Sequence, residues 1–301
     1  MENRFTLEWE TVVKEVEEVF LCPECRQPLL PEVWRCGQGH TFDCVDGVVQ
    51  LFSRAFASRF LPFQQQFEQY RAAQGLTIRQ PAAYAALPYG AAARGQFEWR
   101  LRQYDLALVR RLLAGRAGRQ RVLEVGAWNG WLTHWLAADG HQVTAVDYFD
   151  NEFDGLRAMK HYRRKWQAVQ MDLEDLAALP ANYDVVIVNR CLQFFTNPLA
   201  AVAQSQARLA AGGALLLTGL AFVRDATVAA QRAADFRAHL QAQGITYFKT
   251  FKGYLDFDDY AALQGAGVRL RWMWPLLPAN VKSWLQASRP RYYYGLIIGR
   301  G

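Results

Sequence analysis

The segment Val122-Leu123-Glu124-Val125-Gly126-Ala127-Trp128-Asn129-Gly130 limits the possible folds of this chain more than any other. An apolar strand run ends in an acid. A tight turn with two glycines follows, and a helical pattern begins with Trp131, Leu132, Trp135 and Leu136. Further on, a second apolar strand, Val143-Thr144-Ala145-Val146, closes on Asp147. A strand, glycine turn, helix, strand and acid in that order form a unit that binds an adenosine group. Glycine lets the backbone approach the ligand, and the acid accepts from both ribose hydroxyls. A phosphate cradle has no use for an acid in its turn. Glu124-x-Gly126 therefore favours a cationic, phosphate-free nucleoside over NAD.

These residues resemble the first motif of the class I S-adenosylmethionine-dependent methyltransferases (type 11-like), acid-x-Gly-x-Gly-x-Gly. Glu124, Gly126 and Gly130 hold three of its four fixed places, and Trp128 stands where the middle glycine is usual. The resemblance implies S-adenosylmethionine as cofactor. Glu124 and the turn Gly126, Ala127, Trp128, Asn129 and Gly130 are then expected around the methionine portion, and Asp147 on the ribose hydroxyls. Asp172 is expected to accept from the adenine amino group and Leu173 to offer its backbone N–H, with Tyr148 stacking on adenine. Asp172 also reads as the N-cap of Leu173-Glu174-Asp175-Leu176, a role compatible with the first.

From Gln103 onward, apolar runs alternate with helical patterns: strands at 121–125, 142–146, 166–171, 184–188 and 213–220, and helices at 104–113, 131–138, 152–160, 198–209 and 225–243. Such alternation predicts an α/β fold, a doubly wound Rossmann-like seven-stranded sheet. Residues 268–272 and 291–298 supply two more strand runs, which fit the antiparallel C-terminal hairpin of that family. The expected organisation is an N-terminal helix and zinc ribbon over 1–58, a helical connector over 59–102 and the methyltransferase domain over 103–301. In the connector, aromatics and arginines interleave. It reads either as a packing layer or as a lid, with Tyr89 or Arg100 near the methionine carboxylate.

Four of the five cysteines fall between positions 22 and 44. Cys22-Pro-Glu-Cys25 and Cys36-Gly-Gln-Gly-His40 are two short-spaced ligand pairs that can close one tetrahedral structural Zn²⁺ site. Cys44 is the alternative fourth ligand to His40. Four protein ligands leave no open position for substrate, and a short segment draws folding energy from the metal. With Thr41-Phe42-Asp43 and 46–52, the cluster is similar to the zinc-binding front end of bacterial rRNA guanine-N1 methyltransferases. It is also similar to small zinc-ribbon activators of methyltransferases.

Asn189-Arg190-Cys191-Leu192-Gln193-Phe194-Phe195 follows the fourth strand, where substrate is faced. It lacks the Asn-Pro-Pro-aromatic motif of enzymes that methylate exocyclic amino groups, and Cys191 reads as a buried small residue. His134, His141, His161 and His239 have no partner legible in sequence, so no catalytic base is assigned. Residues 1–60 hold 6 Lys/Arg against 10 Asp/Glu, so the ribbon is a poor reader of RNA phosphates. Residues 61–120 hold 9 against 3. The acceptor is expected to be a small molecule or RNA, with no DNA and no membrane partner, and the location cytoplasmic. No run of apolar residues is long enough for a transmembrane helix, and the acidic N-terminus does not read as a signal peptide. The rival reading is a non-catalytic scaffold docking through its ribbon, with Trp128 as its support.

Overall fold

The computed structural model describes residues 19–30 and 32–299. The N-terminal acidic helix expected before position 19 lies outside the described residues. Strands β1 (Leu29–Leu30) and β2 (Arg35–Cys36) form a small antiparallel ribbon. The hairpin β3 (Cys44–Val45) and β4 (Val48–Leu51) follows. Helices α1 (Arg54–Ala73), α2 (Pro81–Tyr84) and α3 (Phe97–Ala114) lead into β5 (Arg121–Val125). Then come α4 (Trp131–Ala138), β6 (Gln142–Asp147), β7 (Gln167–Met171) and β8 (Tyr183–Asn189). The chain continues through α5 (Pro198–Gln206), β9 (Leu209–Val223), α6 (Ala226–Ala242) and β10 (Leu255–Asp256). It ends in α7 (Phe257–Gly265), β11 (Arg269–Trp272), α8 (Leu277–Leu285) and β12 (Arg291–Ile298).

The main sheet runs β11-β12-β9-β8-β5-β6-β7-β4-β3, with β10 beside β9. Its centre, from β11 to β7, contains the seven strands expected from the sequence. β5 to β9 are parallel, and β12 is antiparallel to both β9 and β11. Helices cover both faces, so central strands such as Val122-Leu123 and Val185-Val186 are buried on both sides and read as continuous apolar runs.

The remaining strands come from the cysteine-rich segment. β4 lies parallel to β7, in register from Val48 opposite Ala168 to Leu51 opposite Met171. Cys22, Leu29 and Cys36 share one buried apolar cluster with Val125, Val169 and Val188. The ribbon and the sheet therefore share one core.

Three elements differ from the sequence reading. α3 starts at Phe97 rather than Tyr104, so its first turn reaches further toward the connector. The helix expected over 152–160 is a 3-10 turn, Leu156–His161, entered through Gly155. Its approach is organised by Asn151, whose side chain accepts from the Phe153 and Asp154 N–H groups. β9 begins at Leu209, which pairs with Tyr183 across an irregularity. The preceding helix therefore stops at Gln206.

Candidate active site and metal centre

A cavity of about 350 Å³ opens beyond the carboxyl ends of β5, β6, β7 and β8, where α/β sheets take their ligands. Gly126, Trp128, Asp147, Tyr148, Leu173 and Asn189, all singled out in the sequence, line it. Glu124, Ala127, Asn129, Gly130 and Asp172 do not.

The glycine turn is fixed by close packing. Gly126 has φ 81°, and a Cβ there would meet the Cys191 sulfur at 2.6 Å. Gly130 has φ 75°, and a Cβ there would meet the Trp166 ring at 2.6 Å. Trp128 shares their left-handed backbone, at φ 51°. Its N–H donates to Asp147 Oδ2 (2.7 Å) and its indole N–H to Asp154 Oδ1 (2.7 Å). The ring stacks on Trp99 at 5.8 Å between centroids. The indole is thus held in the cavity wall.

Asp147 also accepts from the Phe149 N–H at 3.0 Å. Burial pushes its carboxyl up to about 6, although the backbone N–H groups of Phe149, Trp128 and Tyr148 pull the other way. Glu124 sits beneath the turn, fully buried, and accepts from Thr133 Oγ1 (2.5 Å) and Asn189 Nδ2 (2.7 Å). Burial raises its carboxyl to about 8. Glu124 therefore ties β5 to α4 and β8 and does not face the cavity. Asp172 accepts from the Glu174 N–H (3.0 Å) and from Tyr148 Oη (3.4 Å). It closes a local turn and does not cap a helix over 173–176, because the 3-10 turn here starts only at Leu176, after Asp175.

The connector supplies one wall, but not through the residues expected. Tyr89 packs its ring against Trp135, and neither Tyr89 nor Arg100 lines the cavity. Phe63, Phe67 and Arg71 of α1 and Arg102 of α3 do. Arg102 lies one helical turn beyond Trp99, its guanidinium 5.0 Å from the Trp99 ring and 5.3 Å from the Trp128 ring. Its Nε is buried without a partner. The i, i+3 spacing from a buried tryptophan was the signal available for it.

A further wall went unread in the sequence. Tyr247, Phe248, Lys249 and Phe251 come from the irregular stretch after α6. With these, half of the lining residues are aromatic. The cations on the wall all have acidic partners. Arg71 bonds Asp154, Arg102 reaches Glu98 through its terminal nitrogen (3.3 Å), Arg190 bonds Asp105 (3.0 Å) and the same Glu98 (3.2 Å), and Lys249 bonds Glu174 (2.7 Å). His134, His141, His161 and His239 all lie away from the cavity lining. Cys191 lines it, and burial pushes its thiol far above the ordinary range, which disfavours the nucleophilic thiolate.

The ligand atoms of Cys22, Cys25, Cys36 and His40 lie within 4.8 Å of one another. Cys25 Sγ is 3.6 Å from Cys36 Sγ, and His40 Nδ1 is 3.3 Å from Cys36 Sγ and 3.5 Å from Cys22 Sγ. A tetrahedron with zinc–sulfur bonds of about 2.3 Å has edges of about 3.8 Å, so the donor set fits one ion. Tight knuckles build it: the Arg26 N–H donates to Cys22 O (2.8 Å) and the Gly39 N–H to Cys36 O (2.9 Å). Cys44 is exposed on β3 and outside the group.

Strand order, glycine turn and the acid closing β6 now stand together. Residues 97–260 match the profile of a methyltransferase domain, which is more than half of the chain. The chain belongs to the methyltransferase-domain family. It is 32% identical over 137 residues to a ubiquinone biosynthesis O-methyltransferase of Xanthomonas campestris pv. campestris, covering 44% of this chain and 56% of the relative. The homologous protein of Xanthomonas euvesicatoria pv. vesicatoria is 31% identical over 156 residues, 50% of this chain and 63% of its own. The chain thus spans little more than half the length of these relatives. Among solved structures, it is similar to the plantazolicin methyltransferase BpumL with S-adenosylhomocysteine (TM-score 0.48, 12% identity, 82% and 98% of the two chains). It is also similar to the Haemonchus contortus phosphoethanolamine N-methyltransferase 2 with S-adenosyl-L-methionine (TM-score 0.45, 15% identity, 74% and 61%).

Proposed function

We infer that this chain is an S-adenosylmethionine-dependent methyltransferase acting on a small, largely apolar acceptor. The observation that carries the cofactor half is Asp147, a buried carboxylate at the end of β6 that lines the cavity beside Trp128, Tyr148 and Leu173. Asp147 takes the ribose hydroxyls, Tyr148 and Leu173 flank adenine, and Gly126, Trp128 and Asn189 border the methionine tail. Ala127, Asn129 and Gly130 shape the turn from behind. Glu124 holds Asn189 and α4 in place, and Asp172 fixes the loop that presents Leu173. The cofactor carries the electrophilic methyl group, and the protein orients the two reactants for in-line displacement.

The acceptor half rests on the aromatic walls and the paired cations. Phe194, Phe195, Tyr247, Phe248 and Phe251 suit a planar or apolar group, while Arg71, Arg190 and Lys249 already have acidic partners. That favours a small molecule over RNA, whose phosphates need free cations. Cys22, Cys25, Cys36 and His40 hold a structural Zn²⁺ within an N-terminal region of about 1–58, with 59–102 as the connector and 103–301 as the catalytic domain.

Calorimetric titration with S-adenosylhomocysteine tests the reading. Asp147→Ala is expected to weaken binding by roughly 1.5–3 kcal/mol, the scale of hydrogen bonds to a charged group. Affinity in the natural chain should also fall as pH drops through about 6, because the ionised carboxylate is the acceptor. No binding at millimolar ligand would leave the non-catalytic scaffold as the better reading. For the ribbon, elemental analysis should return one zinc per chain after metal-replete expression.

A further inference from the structure

The C-terminal end of the chain turns an apolar stripe outward. The short turn Trp274–Leu276 runs into α8, and Trp274, Leu277, Val281, Trp284 and Leu285 recur at helical spacing. Leu277, Val281, Trp284 and Leu285 share one face of α8, and Trp274 stands exposed on the turn before it. Trp274 is 72% exposed, Trp284 60% and Leu285 86%.

The inward side of α8 is polar. Asn280 and Ser283 are fully buried, and Asn280 clasps the Tyr292 backbone, donating to its carbonyl (3.1 Å) and accepting from its N–H (2.7 Å). Arg224 donates to the Ser283 and Trp284 carbonyls at 3.0 and 2.9 Å. The helix is thus fastened by hydrogen bonds with Trp284 and its aliphatic residues facing out, the reverse of an ordinary surface helix.

Charge indicates what covers this face. Residues 261–301 contain six Lys/Arg and no Asp or Glu. Arg269 and Arg271 are exposed on the edge strand β11, and Lys282 and Arg289 are exposed on and after α8. Two nearby acids are already engaged: Asp225 caps α6 through Thr227 and Val228, and Glu98, close to Tyr292, pairs with Arg102 and Arg190. Tryptophans and aliphatics with a cationic rim match the boundary between acyl chains and anionic headgroups.

We propose that α8 and the turn before it dock this protein on an anionic membrane surface. The helix lies in the plane of the surface, with Trp274, Trp284 and Leu285 among the headgroups and the surrounding cations on lipid phosphates. Spanning is a separate matter: among the described residues no helix is long and apolar enough to cross a membrane. The turn before α8 is anchored from within, because Met273 and Leu276 pack on Leu101 of α3, the neighbour in sequence of the cavity-lining Arg102.

Vesicle co-sedimentation of the full chain tests this, with phosphatidylcholine alone and with added phosphatidylglycerol. Binding is expected to the anionic vesicles and to weaken with salt. Lys282→Glu should weaken it at least about fivefold, the value of one basic residue at such a surface. Trp274→Ser with Leu285→Ser should weaken it about tenfold or more through lost apolar burial. Both changes lie on exposed side chains and should leave S-adenosylhomocysteine binding unaltered. Equal binding to both vesicle types, no binding, or unaffected variants would overturn the proposal. So would a solution dimer that Leu285→Ser dissociates, which would assign the face to a second copy.

Discussion

Trp128 holds a left-handed backbone with a large side chain, a conformation that costs an L-residue about 1–2 kcal/mol. Its contacts offset that cost: the N–H on Asp147, the indole N–H on Asp154 and the stack on Trp99. Trp128→Gly relieves the backbone but forfeits a stacked pair of about 0.5–1.5 kcal/mol and a hydrogen bond to a carboxylate. A net loss of about 2 kcal/mol is expected in urea unfolding. If the ring also faces the sulfonium, the variant should bind S-adenosylmethionine about 0.5–2 kcal/mol more weakly and leave S-adenosylhomocysteine nearly unchanged. A gain of ligand binding in the glycine variant would make the indole a plug. Glu124 offers a pH signature of its own. Burial raises its carboxyl from 4.5 to about 8, so the folded chain holds that proton more tightly than the unfolded chain. The resulting stability is present below 4.5 and is lost as pH rises through about 8. Glutamine does not titrate. The stability of Glu124→Gln relative to the natural chain should therefore climb across that window and level off above it. A flat difference in urea unfolding across the same pH series would contradict the burial argument.

Among the elements, α1 connects the cysteine cluster to the cavity. Its first N–H, on Arg54, donates to Glu24 Oε1 in the first knuckle (2.6 Å), and Ser53 caps the same turn through the Phe56 N–H. Further along α1, Gln64 donates to Asp150 (2.6 Å), Phe63 and Phe67 line the cavity, and Arg71 grips the Asp154 that holds the Trp128 indole. Gln50 of β4 reaches the same Asp150 at 3.2 Å. Glu24→Ala is expected to cost about 1 kcal/mol of stability, the scale of a lost helix cap. Removing the metal should cost more and should weaken S-adenosylhomocysteine binding, although no ligand-facing residue changes. Full affinity in chelator-treated protein would separate ribbon from cavity. Little of this linkage was legible in the sequence. The knuckles, the glycine turn and the acid closing β6 are short-range patterns, and each could be read from spacing alone. Val48-Val49-Gln50-Leu51 reads as the tail of a ribbon because pairing between β4 and β7 is a contact between distant segments. Tyr247 to Phe251 has no period to read, since the stretch is irregular and acquires its place only when α6 returns it to the cavity. Trp274 and Trp284 were illegible for another reason. A short surface helix has no long apolar run, which is the pattern that marks a membrane segment in a sequence.

At the scale of the molecule, the strand alternation from Arg121 onward was enough to give the central seven strands, because buried parallel strands must be apolar throughout. The sequence did not give the way the cysteine-rich segment completes that sheet, and this bears on how the protein unfolds. A chain of 301 residues is long enough to split into separately melting units. Here the edge of β7 is covered by β4, and one apolar cluster runs from Phe20, Cys22 and Cys36 to Val125 and Val188. Opening the ribbon would expose both the strand edge and that cluster, so the ribbon and the sheet should lose their packing together. Calorimetry of the metal-loaded chain is expected to show one transition. An ion that binds only the folded form stabilises whatever unfolds with it. Chelation should therefore move the whole transition to lower temperature. A ribbon that melts alone would give a different trace, a small early transition that responds to chelator beside a large one that does not.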